Sequence, residues 1–191
     1  MYFLLSQLAF ASPISTPESP PTSEATVSPI ARALNVRPQV ETLANGLTVV
    51  LHEDRRSPMV NITTLVRVGS ADDPASASGL SHLLEHLMFK GSPNAPESEW
   101  GRLLEESGAQ SSGWTERDWT LYQTTGPSSS LDRLLFLESD RLGWLAESIS
   151  EESLALEKDI IANERASRQG DSRALYSKMH AHLWPESHPY H

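Results

Sequence analysis

Alternating apolar and polar residues mark the strands in the first half of the chain. Asn45-Gly46 separates two runs rich in strand-forming residues, and this dipeptide is favoured in tight hairpin turns. The segment from Val60 to Val68 alternates as a strand with one buried face should. Strand formers return between Ala109 and Thr125. We therefore expect antiparallel strands in this half of the chain.

A helical period marks most of the second half. Leucines recur at helical spacing from Leu131 to Leu145, and the same period marks residues 154–164 and 175–183. A further helix is predicted from Glu97 to Ser107, ended by Gly108. Strands followed by helices, with an antiparallel hairpin, favour an α+β fold in which an antiparallel or mixed sheet packs against helices.

The segment from Ser81 to Phe89 predicts a short helix with the pattern His-x-x-Glu-His. His82 and His86 are four residues apart, so their imidazoles lie on one face of the helix and can bind the same metal ion. Glu85 lies on that face, within reach of a water molecule on the metal. This order of residues is the inverted zincin motif, although histidines that merely cap or pack a helix are the alternative. The apolar residues expected to bury this helix are Leu83, Leu84, Leu87 and Met88.

The two histidines need a third partner, because catalytic zinc sites typically use three protein ligands and keep one position for water. His180 and His182 are two residues apart, so on a helix they diverge and cannot chelate together. Glu157 and Glu164 are seven apart on one face of a predicted helix. Solvated glutamates are common on helices, so the residue pattern alone leaves the third ligand open.

Composition narrows the possible functions. The 191 residues suffice for one domain or for half of a larger one. A formal net charge of −10 argues against binding to nucleic acid or to an anionic membrane, because both require clustered Lys and Arg. Cysteine is absent, which excludes thiolate nucleophiles and leaves His, Glu and Asp as metal ligands.

The N-terminal residues differ in composition from the rest. Residues 1–11 are apolar and end in Ala9-Phe10-Ala11, like the second half of a secretory signal, although no Lys or Arg precedes Arg32. We expect export to the periplasm or outside the cell, with a cytoplasmic location as the alternative. The apolar run is shorter than the roughly 20 residues of a membrane span. Residues 12–38 are rich in Pro, Ser and Thr and predict a disordered linker, followed by a folded domain over residues 39–191.

Several segments together resemble a known family. They are Leu43–Leu47, Gly79–Gly91, Asp118–Tyr122, Glu138–Leu142, Glu157–Arg165 and His188–Tyr190. In these segments the chain is similar to the M16 family of zinc metallopeptidases, which includes pitrilysin, insulin-degrading enzyme and mitochondrial processing peptidase. The resemblance covers nearly all of residues 40–191 and implies the M16 half-domain fold.

The resemblance also implies an activity and a set of site residues. A family member of this kind is a zinc-dependent endopeptidase that hydrolyses peptides or small unfolded proteins through a metal-activated water. Its zinc ligands would be His82, His86 and Glu164. Its catalytic residues would be Glu85 as the general base and Glu157, which orients a ligand or assists the base.

Substrate and partners follow from the same resemblance. In the family a peptide substrate lies as an added strand along a sheet edge, which corresponds here to Ala109–Thr115. Ser112 replaces the asparagine of the family pattern Asn-Ala-x-Thr, which puts substrate positioning in question but not zinc binding. Complete chambers have a second M16-like half or subunit, so we expect a longer protein and little activity from this fragment alone. The alternative function is a non-catalytic M16-like subunit that binds peptide or scaffolds a complex.

Overall fold

The computed structural model describes residues 37–167 and 171–191, which contain five strands, five α-helices and two short 3-10 helices. Both sheets are antiparallel, so the predicted α+β class is confirmed. The described residues up to 55 and those from 56 onward form separate compact units. The predicted signal segment and all but the last two residues of the predicted linker lie outside the described residues.

The first unit contains a hairpin. Strand β1 (Gln39–Thr42) pairs with β2 (Thr48–Leu51), and Thr42 is opposite Thr48. Gly46 adopts a φ of +89°, a left-handed conformation that glycine reaches without a steric penalty. The side chain of Asn45 accepts a hydrogen bond from the Leu47 amide at 3.1 Å. The hairpin predicted at Asn45-Gly46 is therefore confirmed.

The second unit is built on a three-stranded sheet. Its strands are β3 (Met59–Val66), β4 (Gln110–Thr115) and β5 (Thr120–Pro127), in the order β3-β5-β4. Exposed and half-buried residues alternate along β3, as its sequence predicts. β5 lies in the centre, and β4 lies at an edge of the sheet. This edge position matters for the candidate site.

Five helices complete the described residues. They are α1 (Leu80–Leu87), α2 (Glu97–Glu106), α3 (Leu131–Ser148), α4 (Glu151–Ser167) and α5 (Asp171–Leu183). Gly108 follows α2 with a φ of +63°, as expected for the residue that ends this helix. None of these helices, within the described residues, is long and apolar enough to cross a membrane.

The interior combines an apolar cluster with a buried ion pair. Ala95, Trp100 and Leu137 form the apolar cluster. Beside it on α3, Arg141 donates to Glu138 at 2.5 Å, and both side chains are almost fully buried. A buried charge is costly without a partner, and each residue of this pair supplies the partner of the other. Two leucines that mark the helical period of α3 are largely exposed, Leu135 at 47% and Leu142 at 45%.

Candidate metal centre

The histidine-bearing helix α1 is anchored at its first turn. The Asp73 carboxylate accepts hydrogen bonds from the backbone amides of Gly79 at 2.8 Å and Ser81 at 2.9 Å. These amides have no partner within the helix, and a negative charge is favourable at a helix N-terminus. Asp73 therefore fixes the start of the helix that carries both histidines.

α1 is packed against α4 and β4 and is largely buried. Leu83, Leu87 and Met88 are buried as expected, whereas Leu84 is 37% exposed, so the prediction for that residue is wrong. The two histidines are only partly buried, with side-chain exposures of 29% for His82 and 18% for His86. The helix is thus held firmly while its histidines remain accessible.

Three predicted ligands converge. The Nε2 atoms of His82 and His86 are 3.3 Å apart. Glu164, on α4, places one carboxylate oxygen 3.8 Å from Nε2 of His82 and the other 3.7 Å from Nε2 of His86. All three ligand atoms lie within 4.8 Å of one another. The packing of α4 across α1 therefore places Glu164 beside the histidine pair.

These separations fit a tetrahedral zinc site. Zinc–nitrogen and zinc–oxygen bonds of about 2.0–2.2 Å give tetrahedral ligand–ligand distances of about 3.3–3.6 Å. The His82–His86 separation of 3.3 Å lies in this range, and the distances from the two Glu164 oxygens, 3.7 Å to His86 and 3.8 Å to His82, are slightly longer. Two imidazoles and one carboxylate are also a typical donor set for catalytic zinc, since they leave one position open.

Glu157 supports this cluster from behind. It is 2% exposed, and its carboxylate lies 3.0 Å from Nδ1 of His86 and 2.8 Å from Nζ of Lys90. Burial alone would raise the pKa of Glu157, but hydrogen bonds from Lys90 and His86 outweigh it and keep the pKa below its usual value. An ionised Glu157 can only accept a hydrogen bond, so the Nδ1 atom of His86 that faces it carries the proton. The Nε2 atom of His86 then has a free lone pair for a metal ion.

Lys90 also belongs to this group of charges, although its sequence position did not predict a role. Its ammonium group contacts Glu157 and also Glu97, each at 2.8 Å, and the hydrogen bond to Glu157 is the main cause of its raised pKa. Lys90 follows His86 by four residues but lies beyond the end of α1, so helical spacing does not place it. A carboxylate predicted to be buried, such as Glu157, needs a cation nearby, and this requirement could have pointed to Lys90.

Glu85 directly precedes His86 on α1. It is 8% exposed, and it lines the same cavity of about 610 Å³ as His82, His86, Glu157 and Glu164. All five predicted site residues therefore line a single cavity.

The edge strand β4 forms another wall of the cavity. A side-chain carbon at Gly113 would lie 3.1 Å from the Phe89 ring and 3.2 Å from Cγ of Glu85, so glycine allows β4 to approach α1 closely. Ser112 and Trp114 are exposed and also line the cavity. Among the described strands, only β5 pairs with β4. The other edge of β4 can therefore pair with an added strand.

The histidines of α5 take no part in this cluster. His180 Nδ1 lies 3.1 Å from the guanidinium group of Arg117, and its ring packs against Tyr176. His182 is exposed. Within the described residues, the group of possible metal ligands consists of His82, His86 and Glu164 alone.

Residues 48–187 match the model of the insulinase family of peptidases, peptidase family M16. This match covers well over half of the chain, which therefore belongs to the M16 family.

Individual relatives are consistent with this assignment. The chain is 31% identical to the zinc protease PqqE of Helicobacter pylori, covering 78% of this chain and 34% of the relative. It is also 31% identical to subunit 1 of the human mitochondrial cytochrome b-c1 complex, covering 79% of this chain and 32% of that protein. The chain thus spans about a third of the length of these curated relatives.

Solved structures agree on the fold. The crystal structure of a protease from Helicobacter pylori is 30% identical with a TM-score of 0.65, covering 70% of this chain and 32% of that chain. Pitrilysin has a TM-score of 0.70 at 23% identity, covering 82% of this chain and 16% of that chain. At this low identity the likeness to pitrilysin supports the fold alone.

Proposed function

We propose that the protein is a zinc-dependent endopeptidase that hydrolyses peptides or small unfolded proteins. The observation that carries this proposal is the convergence of His82, His86 and Glu164 beside a buried Glu85 in one cavity. The names of relatives, several of which are zinc proteases, support the same metal and reaction. Family membership alone would leave the activity open, because fold does not determine function.

In this proposal, His82 and His86 hold zinc through their Nε2 atoms and Glu164 holds it through its carboxylate. Bound zinc supplies a Lewis acid that polarises the scissile carbonyl and lowers the pKa of water. Glu157 keeps the proton of His86 on Nδ1 and fixes the orientation of the ring. Lys90 neutralises Glu157, so the buried carboxylate stays ionised at neutral pH.

Glu85 acts as the general base and then as the general acid. Its carboxylate takes a proton from the attacking water as oxygen bonds to the scissile carbonyl carbon. It then gives this proton to the departing amine nitrogen as the carbon–nitrogen bond breaks. A residue that performs both transfers must lie within hydrogen-bond reach of both groups. The position of Glu85 in the lining of the cavity that His82, His86 and Glu164 also line supports this role.

The substrate is an extended peptide that pairs with the free edge of β4. Residues 111–115 of β4 line the cavity, so a strand added there would bring its peptide bonds past Glu85 and the ligands. Main-chain hydrogen bonds supply most of the affinity in this mode of binding. This main-chain pairing does not depend on the side chain at Ser112.

We further propose that a second M16-like half or subunit completes the chamber. Some relatives are subunits by name, such as the β subunit of a probable mitochondrial-processing peptidase from Schizosaccharomyces pombe. Export to the periplasm or outside the cell also stays a proposal, based on the apolar residues 1–11.

A non-catalytic subunit is the second candidate function. The similarity to subunit 1 of the cytochrome b-c1 complex favours it, because that protein is named as a component of a complex and not as a protease. The complete set of His82, Glu85, His86 and Glu164 favours the peptidase instead. The two candidates differ in whether the protein turns over peptides.

The test is an assay of the full-length gene product with a library of quenched peptides, before and after removal of metal with a chelator. We expect turnover in the untreated protein, its loss on chelation, and its recovery on addition of about one equivalent of zinc. Zinc content is measured in parallel by elemental analysis. Zinc binding without turnover of any peptide would support the non-catalytic subunit, and turnover that survives complete removal of metal would contradict the proposal.

A further inference from the structure

The buried carboxylate of Glu85 has a specific partner on β4. The hydroxyl group of Thr115 donates a hydrogen bond to Oε2 of Glu85. Thr115 is half-buried and is the last residue of the strand. Within the part of the chain that the structure describes, this is the only side-chain hydrogen bond to Glu85. The partner is thus a neutral donor.

We propose that Thr115 is a positioning residue for Glu85. Its hydroxyl group holds Oε2, so Oε1 remains the oxygen that exchanges the proton with water and with the amine. This inference rests on the proposed function, in which Glu85 is the general base. It adds a residue that acts through Glu85 and touches neither the metal nor the scissile bond.

Two contacts from one strand restrict the Glu85 side chain. Thr115 holds its carboxylate, and Gly113 lies so close that an added side-chain carbon would be 3.2 Å from Cγ of Glu85. A glutamate has three rotatable side-chain bonds, and a base that is misplaced by about 1 Å can lose about 100-fold in rate. These contacts therefore hold the carboxylate in one orientation before substrate arrives.

The same strand is the proposed template for the peptide. Thr115 pairs with Thr120 of β5, so its backbone is fixed by the sheet on the inner side of β4. A peptide on the outer edge of β4 and the carboxylate of Glu85 are thus positioned by one rigid element. Thr115 links the alignment of the peptide to the alignment of the base.

The test compares Thr115→Val, which keeps the size and removes the donor, with Thr115→Ser, which keeps the donor. For Thr115→Val we expect kcat to fall about 10- to 100-fold, with KM and zinc content nearly unchanged. Thr115→Ser should keep kcat within about threefold of the unmodified protein.

The matched control is Thr64→Val, since Thr64 on β3 also donates to a glutamate, Glu138, at 3.2 Å but lies outside the cavity. It should lower the unfolding midpoint and leave kcat per bound zinc unchanged.

A second readout needs neither metal nor activity. In zinc-free protein, Thr115→Val should lower the midpoint of urea unfolding, and this effect should largely disappear when Glu85 is already replaced by Ala. If Thr115→Val lowered the unfolding midpoint equally in the proteins with Glu85 and with Ala at this position, the hydrogen bond would be contradicted. If Thr115→Val and Thr115→Ser lost kcat equally, the positioning role of the Thr115 hydroxyl group would be contradicted. If Thr115→Val kept normal kcat while Glu85→Gln was inactive, only the role of Thr115 would be overturned. Full activity in Glu85→Gln would overturn the proposed function and this inference together.

Discussion

Replacement of Glu85 by Gln is expected to lower kcat for peptide hydrolysis by about 100-fold or more, while zinc stays bound. The amide has nearly the same volume as the carboxylate and can still accept the hydrogen bond from Thr115. It cannot take a proton from water, however, so only the proton transfers are lost. The measurement is kcat on a quenched peptide together with the zinc content of the same sample.

The control for this variant is Glu105→Gln, which removes an exposed carboxylate of α2 and should leave both quantities unchanged. Retained turnover in Glu85→Gln with full zinc occupancy would contradict the role of Glu85 as the base. Loss of zinc in this variant would instead mean that Glu85 takes part in binding the metal, and the assignment of ligands would have to change.

The second large effect is expected at His82. Replacement of His82 by Ala removes one of three proposed ligands. Loss of a residue that only orients a ligand lowers metal affinity by roughly 10- to 100-fold, so we expect a larger fall in zinc affinity for His82→Ala. The exposed His182 provides the matched control, because His182→Ala removes an imidazole that lies outside the cluster. Competition with a chromophoric chelator measures the zinc affinity of both variants. The zinc affinity of Glu157→Gln should lie between those of His82→Ala and His182→Ala.

Equal zinc affinity in His82→Ala and in the unmodified protein would contradict the proposed site. A loss of zinc that accompanied general unfolding would be recognised by circular dichroism of the metal-free proteins, since His82 is partly exposed and its replacement should leave the fold intact.

The local part of the candidate site could be predicted from the sequence. His82, Glu85 and His86 lie on one short helix, and helical spacing alone puts them on one face. The hairpin at Asn45-Gly46 is likewise a local feature, because its turn depends on the conformational freedom of adjacent residues. Both predictions use contacts between residues that are near in sequence.

The remaining parts depend on packing between distant elements. Glu164 joins the histidines only because α4 packs across α1, so the residue pattern could not choose it and the resemblance to a family did. The contacts of Lys90 with Glu157 and of Thr115 with Glu85 join residues that are far apart in sequence, so only the structure identifies them. Hydrophobic periodicity carries no signal for a buried polar contact, because its stabilisation comes from the partner and not from the residue type.

The central claim is that His82, His86 and Glu164 together hold zinc. A crystal structure of the zinc-loaded protein, with anomalous difference maps measured on both sides of the zinc absorption edge, tests it most directly. We expect one peak about 2.0–2.2 Å from Nε2 of His82, Nε2 of His86 and a carboxylate oxygen of Glu164. A peak held by other residues, or no peak at this cluster in protein shown to contain zinc, would contradict it.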